Sequence, residues 1–380
     1  MQYRRFGKTN LNLSLFSLGT MRCLASPQLA ISTIKKAIAL GINHFETARG
    51  YGSSEEYLGL ALRSGLPIAR ENLYLTTKLP PTRDRNLMSQ WIDESLARLQ
   101  TDYLDCLAIH GINTPEHLNS FTQGSIQAIR QAQDQGKIRH LGFSTHGSLD
   151  LILAAIGSDL FEFVNLHYYY FWQRNQPAIA LAKEKDLGIF IISPGDKGGM
   201  LFTPSKTLRE LCQPWSPLEL TYRFLTSDRR ITTLSVGAAN PDELLFLQRE
   251  DQENQVTWSA PLTIEESWKL ETLEQHLAQK LNSDRCSQCY QCLPCPESIN
   301  IPEILRLRNL AVGYDMDDYG QYRYRMFENA GHWFPGKKGD RCTECGDCLP
   351  RCPENLNIPK LLRNTHQRLN GSPRRRLWEE

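Results

Sequence analysis

Over roughly the first 250 residues, short apolar or β-branched runs alternate with longer stretches whose apolar positions recur every three or four residues. The short runs fall at 16–19, 43–46, 73–78, 104–109, 140–144, 163–166, 188–193 and 232–236. Most are apolar on both faces, as a parallel strand is when helices cover one side and a core fills the other. Between them, stretches such as Leu149, Ile152, Leu153 and Ile156 repeat at i, i+3, i+4 and i+7, the stripe of an amphipathic helix. Eight strand–helix units in about 250 residues predict an α/β fold, a (β/α)8 TIM barrel. An open doubly wound sheet is the alternative, but no Gly-x-Gly-x-x-Gly pattern follows the first run, as nucleotide-binding sheets of that type require.

The pattern changes beyond residue 260. Residues 262–283 read as one polar helix linking two domains, and an internal repeat follows. The segment Cys295-Pro296-Glu297-Ser298-Ile299-Asn300-Ile301-Pro302 parallels Cys352-Pro353-Glu354-Asn355-Leu356-Asn357-Ile358-Pro359. Each Asn-Ile-Pro predicts a helix start, with Asn as cap and Pro in the first turn. The expected layout is a barrel over 1–260, a linking helix over 261–283, a small mostly helical domain over 284–368 and a tail over 369–380. The basic run Arg374-Arg375-Arg376 is either a frayed end or a docking point for an acidic electron donor.

Composition narrows the function classes. A formal net charge of +1 gives no bulk attraction for nucleic acid. No apolar run approaches a membrane span and the start, Met1-Gln2-Tyr3-Arg4-Arg5, has no signal-peptide core, so a cytoplasmic protein is expected. The eleven cysteines are unevenly placed: Cys23, Cys106 and Cys212 are scattered, and the other eight lie between Cys286 and Cys352. In a reducing compartment such clustering points to metal rather than disulfides. Cys23 and Cys106 read as core thiols; Cys212, in the loop before Pro214-Trp215-Ser216-Pro217, is open to exposure and is assigned no role.

Candidate chemistry gathers where the barrel strands end. The second run delivers Glu46 to its carboxyl end, and a glycine-rich loop carries Tyr51 five residues on, with Ser53 or Ser54 capping the next helix. The third run ends in Lys78 and the fourth leads to His110. An acid, a phenol, an amine and an imidazole thus meet at the end of the barrel where such folds do chemistry.

Here the chain resembles the aldo/keto reductase family. The resemblance rests on Tyr3 to Thr9, Glu46 to Gly59, Arg98 to Asp105, His110, Gly136 to Ser144, and Ser193-Pro194. It implies an NADPH-dependent carbonyl/alcohol oxidoreductase with Tyr51 as general acid, Lys78 tuning it and His110 polarising the carbonyl oxygen. A neighbouring ammonium favours the phenolate that proton donation leaves behind. The family's lysine-pairing aspartate matches Glu46, one methylene longer. For the nucleotide, the resemblance points to Ser144, Thr145 and Asn165 (the last two in place of Asn and Gln), to Ser193, and to the Gly237–Asn240 loop. Ile192 aligns with an aromatic residue that often stacks on the nicotinamide. Glu243 stands where an arginine gripping the 2′-phosphate is expected, and a carboxylate there opposes a phosphate. NADPH, NADH and no nucleotide therefore remain open, with Lys197 and Arg230 as candidate substitute charges.

The strongest local signal is the pair Cys286-x2-Cys289-x2-Cys292-x2-Cys295-Pro and Cys342-x2-Cys345-x2-Cys348-x3-Cys352-Pro. Three thiolates at this spacing on one loop cap three irons of a cubane, and a distant Cys-Pro supplies the fourth ligand. The second quartet has the bacterial ferredoxin spacing; the first resembles iron–sulfur members of the aldo/keto reductase family. Two 4Fe–4S clusters are expected in a ferredoxin-like domain, with zinc as the alternative. In two-cluster ferredoxins the fourth cysteine crosses over, which would give Cys295 to the second cluster and Cys352 to the first.

Three functions follow from these residues. The chain is an oxidoreductase acting on a small carbonyl or alcohol substrate with supporting clusters, an electron-transfer protein with a protein partner, or a cluster-based redox sensor. The aromatic run 168–172 either lines a substrate pocket or packs against the cysteine domain.

Overall fold

A computed structural model describes residues 1–251 and 257–373. Two antiparallel strands, β1 (Tyr3–Arg5) and β2 (Asn12–Ser14), come first. Eight parallel strands follow: β3 (Phe16–Gly19), β4 (His44–Glu46), β5 (Tyr74–Leu79), β6 (Leu104–His110), β7 (Ile138–Ser144), β8 (Phe163–Leu166), β9 (Gly188–Ile191) and β10 (Thr233–Val236). They pair in chain order and β10 closes on β3, making a complete barrel. All eight runs expected from the hydrophobic pattern are strands. The initial hairpin was not anticipated, because its strands are only three residues each and carry no apolar alternation.

The connection between these two strands plugs the barrel. Phe6 is fully buried and packs with Leu13, Cys106, Ala108, Phe163 and Phe190, its ring 5.2 Å from that of Phe163. Gly188 makes room for it: a Cβ there would lie 2.3 Å from the Phe6 ring. Side chains alternate across a strand, so inward-facing Phe163, Cys106 and Ala108 put Asn165 and His110 inward too, nearer the carboxyl ends.

Between plug and mouth lies a polar layer. His44 Nδ1 is 2.7 Å from the Ser17 hydroxyl and its Nε2 is 2.7 Å from that of Thr76; Ser17 also pairs with Thr233. Burial, with Lys78 nearby, pulls the His44 pKa down to about 3, so the ring is neutral at physiological pH.

The chain divides into two compact units. The first comprises Met1–Gly195 and Tyr222–Pro261; the second comprises Asp196–Thr221 and Leu262–Glu380. The segment after β9 thus leaves the barrel sequence for the second unit, where Ser205 and Thr207 donate to the Tyr314 carbonyl and the Asp315 carboxylate. The helix Ile264–Leu281 is likewise part of the second unit and no free-standing link: Leu273, Leu277 and Leu281 are buried, and the Tyr314 hydroxyl donates to the Leu273 carbonyl at 2.7 Å. A Thr263–Glu266 capping box starts it.

The helices Ile301–Tyr314 and Ile358–Leu369 begin as the repeat predicts. Asn300 and Asn357 cap them by accepting from the Glu303 and Lys360 backbone N–H groups. The first helix is buried almost all round. Its internal Arg306 is tolerated because Glu303 takes it bidentately at 2.6 and 2.9 Å. Leu369 is fully buried, so the expected tail does not begin there. Arg374, Arg375 and Arg376 lie outside the described residues. No described helix is long and apolar enough to cross a membrane.

Candidate active site and cysteine centres

The barrel mouth brings Glu46, Tyr51, Lys78 and His110 together. Register explains part of this: Glu46 on β4 pairs with Thr76, two residues before Lys78 on β5, and Lys78 pairs with Ala108, two before His110 on β6. Lys78 and Glu46 are buried, 1% and 4% exposed. The Lys78 ammonium forms an ion pair with Glu46 Oε1 and donates to the Thr47 carbonyl at 2.9 Å and the Tyr51 oxygen at 3.3 Å. Three acceptors match its three hydrogens. Burial works against the charge, but Glu46 and then Tyr51 outweigh it, and the Lys78 pKa is raised. The His110 ring meets the Tyr51 ring edge-on, 5.6 Å between centroids.

The longer Glu46 is accommodated by its neighbours. Its second oxygen accepts from the Ser235 hydroxyl at 3.5 Å. A Cβ on Gly19 would stand 2.4 Å from the Ser235 oxygen and 3.4 Å from Glu46 Oε2, so glycine is needed at the end of β3. The expected Ser53 or Ser54 cap is not made by a side chain: Ser53 is the N-cap without such a bond. The Ser54 hydroxyl instead lies 2.6 Å from that of Thr20 and 2.8 Å from that of Thr47.

The nucleotide candidates divide. The Thr145 hydroxyl is committed to the backbone, donating to Ile112 O and accepting from Gly147 N. Ser144 Oγ accepts from Gly111 N at 3.0 Å, and Ser193 sits just past β9 with φ +54°. Asn165 is fully buried, and among the described residues neither its amide nitrogen nor its oxygen has a partner. An inward carboxamide with both ends unmet suits a ligand offering a donor and an acceptor, as a nicotinamide carboxamide does. Past β10, Asn240 accepts from the Asp242 and Glu243 backbone N–H groups. Arg22 from the β3 loop forks onto the Glu243 carboxylate at 2.6 and 3.0 Å and donates to the Gly237 carbonyl. Arg230 offers no substitute charge beside Gly237: it precedes β10 and is engaged by Asp228. Lys197 belongs to the second unit.

The aromatic run packs within the barrel unit. Tyr168 and Tyr169 are buried, and the Tyr168 and Tyr170 rings lie 5.9 and 5.5 Å from that of Phe224. Cys23 and Cys106 are core thiols as expected. Cys212 is not exposed: it ends the helix Lys206–Cys212 and is 1% accessible, with burial pushing its pKa up to about 12.

In the second unit the eight clustered cysteines line two cavities in crossed sets. One is lined by Cys286, Cys289, Cys292 and Cys352, with Tyr290, Pro302, Leu305, Leu356 and Ile358. The other is lined by Cys342, Cys345, Cys348 and Cys295, with Pro296, Ile299, Ile301, Pro359 and Leu362. Cys-Pro of each repeat therefore joins the triplet of the other. Burial, then the neighbouring thiols, pushes the Cys292 pKa up to about 12. Burial raises Cys286, Cys342 and Cys348 as well. Four thiols in an apolar cavity ionise only if a positive centre arrives with them. Among the described residues no three His, Cys, Asp or Glu side chains are grouped to hold a single metal ion. A zinc ion draws its sulfurs to about 2.3 Å from one point, whereas a cubane takes them at its separated corners.

Residues 16–245 match the aldo/keto reductase family profile. The chain belongs to the aldo/keto reductase family. Residues 285–357 match a 4Fe-4S dicluster domain, so this family member carries an iron–sulfur domain beyond its barrel. It is 25% identical over 243 residues to the uncharacterized oxidoreductase YqkF of Bacillus subtilis, covering 60% of this chain and 76% of that one. It is 31% identical over 180 residues to methylglyoxal reductase DkgB of Escherichia coli O157:H7, covering 46% and 64%. It is 32% identical over 167 residues to L-glyceraldehyde 3-phosphate reductase of Escherichia coli K12, covering 38% and 46%. The chain thus spans from about half to three quarters of the length of these relatives. The holo form of aldo-keto reductase AKR11C1 from Bacillus halodurans superposes with a TM-score of 0.61 at 22% identity, over 71% of this chain and 95% of that one. That likeness concerns the fold.

Proposed function

We propose that the barrel of this aldo/keto reductase interconverts a carbonyl and an alcohol with a nicotinamide nucleotide, and that the second unit holds two 4Fe–4S clusters. The observation carrying the first part is the buried Lys78, shared by Glu46 and Tyr51 beside His110. A dihydronicotinamide held there would supply the hydride that the carbonyl carbon takes up. Tyr51 gives its hydroxyl proton to the carbonyl oxygen, leaving an alcohol and a phenolate that water later reprotonates. Lys78 stabilises that phenolate, and Glu46 keeps Lys78 charged. His110 hydrogen-bonds the same oxygen as negative charge grows on it. Asn165 would hold the nicotinamide carboxamide.

For the clusters, the proposed ligand sets are Cys286, Cys289, Cys292 and Cys352 for one, and Cys342, Cys345, Cys348 and Cys295 for the other. One observation favours a second reading, in which the barrel has given up the nucleotide and the protein transfers electrons to a partner or senses redox state. The Arg22–Glu243 fork puts a carboxylate and its counter-ion where a phosphate grip would be.

Anaerobic titration of cluster-loaded protein with NADPH and then NADH, following nucleotide fluorescence and cluster absorbance together, separates the two. Saturable binding, with carbonyl reduction that falls at least about a hundredfold in Tyr51→Phe, is the expected result. No binding of either nucleotide would refute the first reading.

A further inference from the structure

The two cavities of the second unit are built from repeated sequence, so the repeat itself shows what differs between them. Leu-Pro separates the last two cysteines of each quartet, as Cys292-Leu293-Pro294-Cys295 and as Cys348-Leu349-Pro350-Arg351-Cys352. Arg351 is the residue by which the second spacing exceeds the first. Because the fourth cysteines cross over, Arg351 adjoins Cys352 of one cavity in sequence yet lines the other, with Cys295, Cys342, Cys345 and Cys348.

Backbone carbonyls fix its guanidinium. Nε donates to Asp347 O at 2.8 Å, and Nη2 donates at 3.0 Å to the carbonyl of Pro294, the residue before Cys295. Arg351 is half-buried, and among the described residues no carboxylate pairs with it. Other basic groups near the cysteines are offset. Arg363, which acts on Cys342, is paired with Glu344, and Arg285, next to Cys286, is paired with Glu274. Among the described residues no basic side chain lines the Cys286 cavity.

The acidic linings are part of the repeat. Glu297 lines the Cys342 cavity and its counterpart Glu354 lines the Cys286 cavity. Arg351 thus balances Glu297 in one cavity, while Glu354 has no such balance among the lining side chains of the other. One contact works the opposite way: Gln288 donates to the Cys286 sulfur at 3.6 Å, where the repeat has Glu344. A bond to sulfur also favours added negative charge, but a neutral amide at that distance acts less strongly than a whole charge.

We infer that Arg351 sets the order in which the two centres accept electrons, making the one held by Cys342, Cys345, Cys348 and Cys295 the better acceptor. This rests on the reading of the second unit as the holder of two 4Fe–4S clusters. Each cluster takes one electron from a one-electron donor, which is oxidised in the step, and the cluster's negative charge rises by one. A cation at one cavity favours that gain there. The first electron therefore rests at the Cys342 cavity and the second at the Cys286 cavity. Arg351 acts through its field and exchanges no electron or proton itself.

Anaerobic dithionite titration of cluster-loaded protein, followed by EPR against potential, tests this. The native protein is expected to show two one-electron steps with midpoints at least about 59 mV apart, a tenfold preference. Arg351→Gln should lower the upper step and bring the two together, whereas Arg351→Lys should keep them apart. The repeated glutamates identify the steps. Glu354→Gln should raise the lower step and narrow the gap; Glu297→Gln should raise the upper step and widen it. That pair decides the matter if Arg351→Gln, lacking the bond to Pro294 O, fails to load iron.

Coincident steps in the native protein would overturn the inference. So would an unmoved upper step in iron-loaded Arg351→Gln, an Arg351→Lys protein titrating like Arg351→Gln, or glutamate variants that leave the gap alone or move it in the opposite senses. Iron analysis separates this failure from that of the underlying reading. About eight irons per chain with coincident steps sinks only the role of Arg351, while zinc in place of iron sinks the cluster assignment itself.

Discussion

Replacing Glu46 by Gln isolates the charge that holds Lys78 in the barrel. Glutamine keeps an acceptor oxygen near the ammonium, and Thr47 O and the Tyr51 oxygen remain, so what is lost is mainly the counter-charge. Breaking a buried ion pair on one side costs about 3–5 kcal/mol. An upper bound follows from the alternative open to Lys78, which is to shed its proton. From the ordinary lysine value of 10.5 down to pH 7 is 3.5 units, or about 5 kcal/mol at 1.36 kcal/mol per unit. At pH 9 the same step is 1.5 units, about 2 kcal/mol.

The sign differs between the two proteins. In the native protein Lys78 has a raised pKa, so its contribution is complete below pH 10.5 and is lost only as pH rises through the folded value. In Glu46→Gln the folded value falls below 10.5, the unfolded chain binds more protons, and stability climbs with pH. The gap between the proteins should therefore narrow from about 5 kcal/mol at pH 7 to about 2 kcal/mol at pH 9. Adding Lys78→Met should close most of it.

Hydrogen-exchange mass spectrometry on peptides of β4 and β5, at several pH values with intrinsic exchange rates divided out, reads the opening of the barrel itself. A cost below about 1 kcal/mol, equal at pH 7 and pH 9, would refute the assignment of a buried, Glu46-dependent charge.

Other predictions follow from single observations. With its pKa lowered from 6.5 to about 3, His44 costs nothing above pH 6.5. Below it the barrel should lose about 1.4 kcal/mol per pH unit towards pH 3, and denaturation of His44→Gln between pH 6.5 and 4.5 should show a shallower slope. Asn165→Leu removes two unmet polar atoms, so thermal unfolding should show a nucleotide-free barrel more stable by about 1–2 kcal/mol. A fluorescence titration should show nicotinamide-nucleotide affinity lowered at least about tenfold. Cys289→Ser combined with Cys352→Ser touches one cavity of the crossed arrangement, so iron analysis should find about half the native iron. Contiguous quartets would leave none.

Much was legible before folding because the signals are local. Strand runs separated by amphipathic stripes specify eight βα units, and barrel geometry sends their carboxyl ends to one face; hence Glu46, Lys78 and His110 could be placed together from order alone. The Asn-Ile-Pro helix starts and cysteine spacings are local in the same way. The hairpin strands were too short to show periodicity. Sequence alone leaves the burial of Cys212 open, because the Pro214-Trp215-Ser216-Pro217 run after it reads as loop and burial depends on which unit its helix joins.

What the sequence determined by itself is the class of chemistry: thiolates spaced for clusters, and an acid, an amine, a phenol and an imidazole at strand ends. What tertiary structure decided is pairing across distance. It gave Glu46 a second partner in Ser235 and required Gly19 beside them, turned Glu243 towards Arg22, left Asn165 unmet among the described residues, and crossed Cys295 and Cys352 between cavities. Spacing along a chain constrains neighbours within a turn or a strand. Contacts between residues tens or hundreds of positions apart depend on register and packing, and those are fixed only when the barrel closes and the helices bury their faces.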